Sequence, residues 1–283
     1  MRRLAWCFAL PMVAVVALAL GCGSGDSGAP KAVTAKTGQP KAAKTAAGKA
    51  AEVAVVGWST IKGRVTYNGD EKPGPKYLQP TKDQDKCPKE VPGEGWYVNE
   101  ENKGLQYAVV FLKPPAGARM PKPKGEGEAG NVEVGQPHCQ FEPRVVVLKP
   151  WQKLVFINDS DPGIAHDSNL SGVTFNYQKT LPPGQRTDPI DPDPSDRSPY
   201  KVSCAIHAGF MGAYVWRPSH PWMTVTDKDG NYELKDVPVL EGGRKMILAV
   251  WHEMLPGDRT MEIGEVDANP DEVVTKDFAI PKK

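Results

Sequence analysis

The sequence has little that points to catalysis or to nucleotide chemistry. It contains neither a phosphate-binding loop nor a nucleophile elbow, and no nucleophile with a plausible base stands out. Its charge is almost balanced, with 35 Lys and Arg against 34 Asp and Glu, which argues against a nucleic-acid partner. We therefore expect a protein that is not an enzyme and does not bind nucleic acid.

Helical periodicity is also nearly absent from the chain. Short runs rich in β-branched and aromatic residues occur instead, for example at residues 106–112, 153–157 and 245–251. The 28 Pro and 28 Gly punctuate these runs in the manner of turns. We predict an all-β protein, with a Greek-key β-sandwich combined with a second small β-sandwich module.

The first residues read as an export signal followed by a tether. Arg2 and Arg3 precede an apolar run, at 10–20, that is too short to span a bilayer comfortably. The run ends in Ala-Leu-Gly-Cys22, which resembles a bacterial lipobox and implies a lipid on Cys22. A plain secretory signal and an uncleaved anchor are the alternatives. Residues 23–56 lack aromatic side chains and predict a disordered linker. We expect a cell-envelope protein on the periplasmic or outer-surface face, in contact with the membrane through its lipid.

Cysteine is scarce, and the number left after the signal is odd. Of five Cys, Cys7 lies in the signal and Cys22 in the lipobox, which leaves Cys87, Cys139 and Cys204. In an oxidising compartment an unpaired Cys is expected to have a function. The economical arrangement is a disulfide between Cys87 and Cys139, with Cys204 free to bind a metal as a thiolate. The alternative is that one of the three is merely buried.

Potential metal ligands are concentrated in residues 204–211. Cys204, His207 and Met211 lie in a loop between two strand-like runs, and His166 follows another such run. Two His, one Cys and a weakly bound Met are the ligands of a blue-copper centre. We predict copper as the cofactor, with His166, Cys204 and His207 as equatorial ligands and Met211 as a long axial ligand. A zinc site and a metal-free relic are the alternatives.

The pattern around these ligands resembles the cupredoxin family, of the plastocyanin and amicyanin kind. The resemblance rests on Asn158-Asp-Ser-Asp-Pro-Gly-Ile-Ala-His166, followed by Cys204-Ala-Ile-His207. It implies one type 1 copper and exchange of single electrons with a redox partner protein, such as a cytochrome or a dehydrogenase. It also implies that electrons leave through an exposed edge of His207, beside an apolar docking patch at 208–210. The alternative is a non-enzymatic cell-surface module that binds carbohydrate or protein, with a vestigial or structural metal site.

Other segments resemble two further groups. Residues 63–67, 104–113, 136–143, 219–230 and 250–253 are similar to bacterial exported proteins labelled methylamine utilization proteins. The chain departs from that group in the loop to Met211, which is one residue longer, and at Arg144, where a His is common. Residues 225–238 and 246–252 resemble transthyretin-like or carboxypeptidase regulatory-like β modules. We predict that such a module is split into residues 57–114 and 218–283 around a cupredoxin-like domain at 115–217. One continuous sandwich is the alternative.

Overall fold

The chain is built almost entirely of β-strands in the computed structural model, which describes residues 51–125, 127–160 and 163–280. These residues contain two short 3-10 helices, Pro137–Cys139 and Glu241–Gly243, and no α-helix. The all-β prediction is confirmed. The strands are β1 (Val55–Tyr67), β2 (Gly74–Leu78), β3 (Val91–Trp96), β4 (Val109–Lys113), β5 (Gly130–Gly135), β6 (Val145–Val147), β7 (Gln152–Ile157), β8 (His166–Ser171), β9 (Asn176–Leu181), β10 (Tyr200–Ser203), β11 (Gly212–Trp216), β12 (Met223–Val225), β13 (Asn231–Leu240), β14 (Ile247–Trp251), β15 (Thr260–Glu265), β16 (Val273–Thr275) and β17 (Phe278–Ile280).

The predicted signal, the lipidation site Cys22 and most of the predicted linker lie outside the described residues. The described end of the predicted linker contains strand structure, since Ala51 bridges Ala118 and β1 starts at Val55. No helix in the described part of the chain is long and apolar enough to cross a membrane.

Two sheets enclose the first core. One has the order β13-β1-β16 with β17 also paired to β1, and the other has the order β12-β4-β14-β15. Side chains on β1 alternate between burial and partial exposure, with Ile61 and Val65 fully buried. This two-residue period is typical of a strand with one face on a core. The core between the sheets contains Ile61, Val65, Leu105, Val110, Leu112, Trp222, Leu248 and Val250.

Strands β4 and β14 are buried on both faces. Val110 and Val250 point into the first core, whereas Phe111 and Trp251 pack in another cluster with Trp216 of β11. This explains the continuous apolar sequences of β4 and β14, since a strand covered on both sides has no solvent face to keep polar. The sheet that contains them therefore lies between two apolar layers.

The remaining strands enclose a second core, and this core positions the predicted metal ligands. A five-stranded sheet has the order β6-β11-β10-β8-β9, and β5 pairs in parallel with β7. Their buried side chains form one cluster that includes Leu148, Leu154, Phe156, Leu170, Tyr200, Val202 and Val215. The disulfide between Cys87 and Cys139 lies in the same cluster.

Strand pairing separates the chain into two groups within one compact unit. Strands β1, β4 and β12 to β17 pair among themselves, and so do β5 to β11, while β2 pairs with β3. All described residues nevertheless belong to a single unit by their contacts. The predicted module boundaries at residues 114 and 217 stay a prediction.

Candidate metal centre

Three neighbouring strands bring the candidate ligands to one edge of the five-stranded sheet. Strand β10 lies between β8 and β11, and its last residue, Ser203, pairs with Asn169 and Gly212. Cys204 follows β10 directly, and His166 is the first residue of β8. Because β8 and β10 are antiparallel, the end of one strand meets the beginning of the other.

The loop at 204–211 is closed by its own backbone. The Cys204 N–H donates to the Met211 carbonyl at 3.3 Å, and the Met211 N–H donates to the His207 carbonyl at 3.3 Å. Gly209 turns the chain with φ of 89°, a backbone conformation that side chains with a Cβ rarely adopt. The loop therefore places Cys204 and His207 at fixed positions relative to each other.

Three potential ligand atoms converge inside the protein. The Nδ1 atoms of His166 and His207 are 3.0 Å apart, and the Cys204 Sγ is 3.6 Å from His207 Nδ1. The three side chains supply ligand atoms that all lie within 4.8 Å of one another. Both histidines are 0% exposed and Cys204 is 1% exposed. The structure thus brings together the three residues predicted as equatorial ligands.

These separations suit a single metal ion. Zn²⁺, a divalent first-row ion, binds imidazole nitrogen at about 2.0–2.1 Å and thiolate sulfur at about 2.3 Å. Two nitrogens on one ion are then at most about 4.2 Å apart, and a nitrogen and a sulfur at most about 4.4 Å. The 3.0 Å and 3.6 Å separations meet both limits. The buried thiol and imidazoles also match the preference of copper for soft sulfur and for imidazole.

Met211 lies at the end of the same loop and is 3% exposed. It packs in the second core together with Cys204 and Phe210. Its backbone closes the loop, as described above. Its role as an axial ligand stays a prediction.

The Cys204 sulfur is held by backbone N–H groups. The Asp167 N–H donates to Sγ at 3.2 Å. Burial raises the pKa of the Cys204 thiol, and the N–H groups of Asp167, His207 and Ile206 oppose that shift by stabilising the thiolate. A metal that binds here must therefore displace the thiol proton.

Asp167 also fixes the two strands that carry the ligands. Its side chain is 1% exposed and accepts hydrogen bonds from Gln178 Nε2 at 3.0 Å, Thr180 Oγ1 at 3.2 Å and the Ala205 N–H at 3.4 Å. The last bond ties the residue after His166 to the residue after Cys204. Asp167 therefore stabilises the relative position of two ligands without contacting a metal itself.

His166 is held neutral by its surroundings. Burial, and then the neighbouring His207 imidazole, lower the pKa of His166 to about 4. Its Nε2 is buried and has no hydrogen-bond partner among the described residues. A neutral imidazole is the form that binds metals, so His166 carries no positive charge that would oppose a metal near neutral pH.

Asn158 anchors the connection that leads to His166. It is fully buried, and its Nδ2 donates to the Ile164 carbonyl at 2.9 Å and to the Leu181 carbonyl at 2.7 Å. Its Oδ1 accepts from the Ser160 N–H at 3.1 Å. Asn158 therefore supports the segment that leads to His166 from outside the ligand set.

The expectation that one edge of His207 is exposed is wrong. His207 is 0% exposed, and its Nε2 lies 2.9 Å from Asp83 Oδ2. Phe210 of the expected docking patch is also buried, at 5% exposure, and its ring packs against His207 in a T-shaped arrangement. Residues between β2 and β3, Asp83 among them, cover the imidazole edge that was expected to face solvent.

The disulfide lies against the same histidine. Cys87 and Cys139 are bonded, with Cα atoms 5.6 Å apart, and Cys204 is the free cysteine of the described residues. The two disulfide sulfurs and a His207 ring nitrogen lie within 4.8 Å of one another. Since bonded sulfurs carry no thiolate, they pack against His207 rather than bind a metal with it.

The remaining histidines do not join the centre. His138, His220 and His252 belong to neither group of potential metal ligands found among the described residues. Arg144 stands where the similar exported proteins commonly have a His, and it forms a buried ion pair with Glu253 at 2.9 Å. Arg144 also borders a groove of about 530 Å³, which Cys204, Phe210 and Met211 line.

Two supporting residues escaped the sequence analysis. Asp167 directly follows His166, and a polar residue beside a ligand is a signal that could have identified it. Asp83 is distant from every ligand in sequence, and no local pattern marks it. Its approach to His207 depends on the Cys87–Cys139 disulfide and on how residues 79–90 pack.

Comparison with known proteins gives limited additional information. No protein-family model matches the chain, and no curated protein matches it. A solved structure of auracyanin B aligns with 38% of this chain and 97% of its own, at 14% identity and a TM-score of 0.25. This similarity is too low to argue from, so the function proposed below is argued from the centre itself.

Proposed function

We propose that the protein is a cupredoxin-like protein of the cell envelope, which binds one copper ion and transfers single electrons. The observation that carries the proposal is the convergence of His166 Nδ1, His207 Nδ1 and Cys204 Sγ in a fully buried pocket. Met211 would be the weak axial ligand. A bound copper would supply a one-electron couple between its +1 and +2 states.

The residues of the chain suit this role because they hold the ligands in place before a metal arrives. The closed loop at 204–211 fixes Cys204 and His207, and Asp167 and Asn158 fix the segment around His166. Burial of all three ligands excludes water from the centre. A rigid and dry centre of this kind limits the rearrangement that accompanies a change of charge.

The expected lipid on Cys22 would hold the protein at a membrane, within reach of a redox partner protein such as a cytochrome or a dehydrogenase. The groove beside the loop supports such docking, because it combines loop residues such as Ala208 and Gly209 with the charged side chains of Glu94 and Lys201. Charged groups around an apolar contact orient a partner during encounter.

Optical titration of the metal-free protein with Cu²⁺ tests the copper assignment. We expect one equivalent to produce an intense thiolate-to-copper band at about 600 nm, as in blue-copper centres. The band should be absent in C204S and retained in C87S/C139S, which removes the two disulfide sulfurs. Uptake of zinc without such a copper band would contradict the proposal and indicate a structural metal site.

A further inference from the structure

The side of His207 that faces away from the other ligands is closed by a carboxylate. His207 Nδ1 faces His166 and Cys204, while Nε2 lies 2.9 Å from Asp83 Oδ2. The His207 side chain is 0% exposed and the Asp83 side chain is 29% exposed. The imidazole is therefore placed between the ligand cluster and a charged group that is still in contact with water.

The backbone around Asp83 is folded so as to hold the carboxylate there. The Asp83 carbonyl accepts hydrogen bonds from the N–H groups of Lys86 at 2.9 Å and Cys87 at 2.8 Å. Asp83 has φ of 50°, a backbone conformation that non-glycine residues adopt uncommonly. The disulfide from Cys87 to Cys139 ties this turn to the second core. The position of Asp83 is thus set by the backbone hydrogen bonds of the turn and by the disulfide that follows it.

A carboxylate on the far nitrogen has a defined effect on a metal-binding histidine. It accepts a hydrogen bond from Nε2–H, and in a neutral imidazole this leaves Nδ1 unprotonated and directed at the other ligands. It also makes the imidazole a stronger electron donor, and this favours the more highly charged state of a bound metal.

We propose that Asp83 is a positioning residue for His207, which selects its Nε2–H tautomer and stabilises Cu²⁺ relative to Cu⁺ at the centre. The effect on copper rests on the proposed function, whereas the effect on the tautomer does not. Loss of such an outer partner typically lowers metal affinity by about 10–100-fold. If a tenfold loss falls on Cu²⁺ alone, the Cu²⁺/Cu⁺ affinity ratio falls tenfold, which raises a one-electron potential by about 59 mV.

Redox titration of matched variants tests the effect on copper. D83N keeps the shape of the side chain and an oxygen acceptor but removes the charge. D85N removes the same charge from an exposed residue two positions further along the same segment. We expect at least about a tenfold change in the affinity ratio for D83N and less than about twofold for D85N, since solvent screens exposed charges. Equal shifts in the two variants would overturn the proposal while leaving the copper centre intact.

Nitrogen NMR of the metal-free full chain tests the tautomer without copper. We expect the side-chain resonances of His207 to show a protonated Nε2 and an unprotonated Nδ1. In D83A this preference should be lost, and in D85N it should remain. A wild-type His207 protonated on Nδ1 alone would overturn the proposal. Should the wild-type protein bind no copper, the proposed function fails, but this measurement still decides the role of Asp83.

Discussion

Removing one member of the buried ion pair between Arg144 and Glu253 should destabilise the protein strongly. Arg144 Nη2 donates to Glu253 Oε2 at 2.9 Å, and Arg144 Nε contacts both carboxylate oxygens at 3.2 and 3.3 Å. The side chains are only 11% and 1% exposed. Glu253 also accepts from the Gly95 N–H at 3.0 Å, and Arg144 Nη1 donates to the Gly212 carbonyl at 3.3 Å.

The expected magnitude follows from the charge that each substitution leaves behind. R144M leaves the Glu253 carboxylate buried with the Gly95 N–H as its remaining donor. An uncompensated buried charge of this kind typically costs about 3–5 kcal/mol. E253Q keeps an acceptor for Gly95, so we expect R144M/E253Q to be more stable than R144M by about 1–3 kcal/mol.

Urea unfolding of the metal-free protein at pH 7, followed by tryptophan fluorescence, measures these differences. The matched control is K113M, which removes a Lys from an ion pair with Glu262 whose side chains are 40% and 55% exposed. Exposed pairs contribute about 0–1 kcal/mol. If R144M costs no more than K113M, or if the two substitutions at the buried pair are additive, the reasoning about buried charge is refuted.

Three further predictions concern the acid stability set by His252, the hydrogen bonds of Asn158 and the disulfide. Burial lowers the pKa of His252 to about 3, below its unfolded value of about 6.5, so the unfolded state takes up the proton first as the pH falls and stability is lost between pH 6.5 and 3. H252Q should remove about 2 kcal/mol of the stability difference between pH 7.5 and pH 5, measured by urea unfolding, and an unchanged difference would contradict this account. N158A leaves two buried backbone carbonyls without their Asn158 donor, so we expect a loss of about 2–4 kcal/mol in urea, and a smaller loss would show that water replaces the donor. C87S/C139S opens a cross-link that spans a sequence separation of 52, which predicts a loss of about 4 kcal/mol from chain entropy, and a loss below about 1 kcal/mol would contradict that account.

The features visible in the sequence are those that depend on local patterns. Continuous apolar runs identified β4 and β14 as strands, and residue types identified His166, Cys204 and His207 as candidate ligands. Such features are readable because periodicity and ligand chemistry belong to short segments.

What the sequence did not show depends on contacts between distant segments. Nothing near His207 in the sequence indicates that Asp83 covers it, because that contact forms through a turn between β2 and β3. The buried pairing of Arg144 with Glu253 is also a long-range contact, between the segment before β6 and the end of β14. Burial of a single side chain is a property of the packed molecule, so local residue patterns cannot report it.

The two-sided burial of β4 and β14 has a consequence for how the two cores respond to heat and to ligands. One face of these strands lines the first core, and the other face packs on Tyr214 and Trp216 of β11. The alternate side chains of β11, Ala213 and Val215, lie in the second core, so the two cores are joined through the apolar layer between β4, β14 and β11. We therefore expect the residues before position 114 and after position 222 to unfold together with the loop at 204–211. A ligand that binds tightly at that loop should raise the melting temperature of the whole described unit rather than that of one part of it.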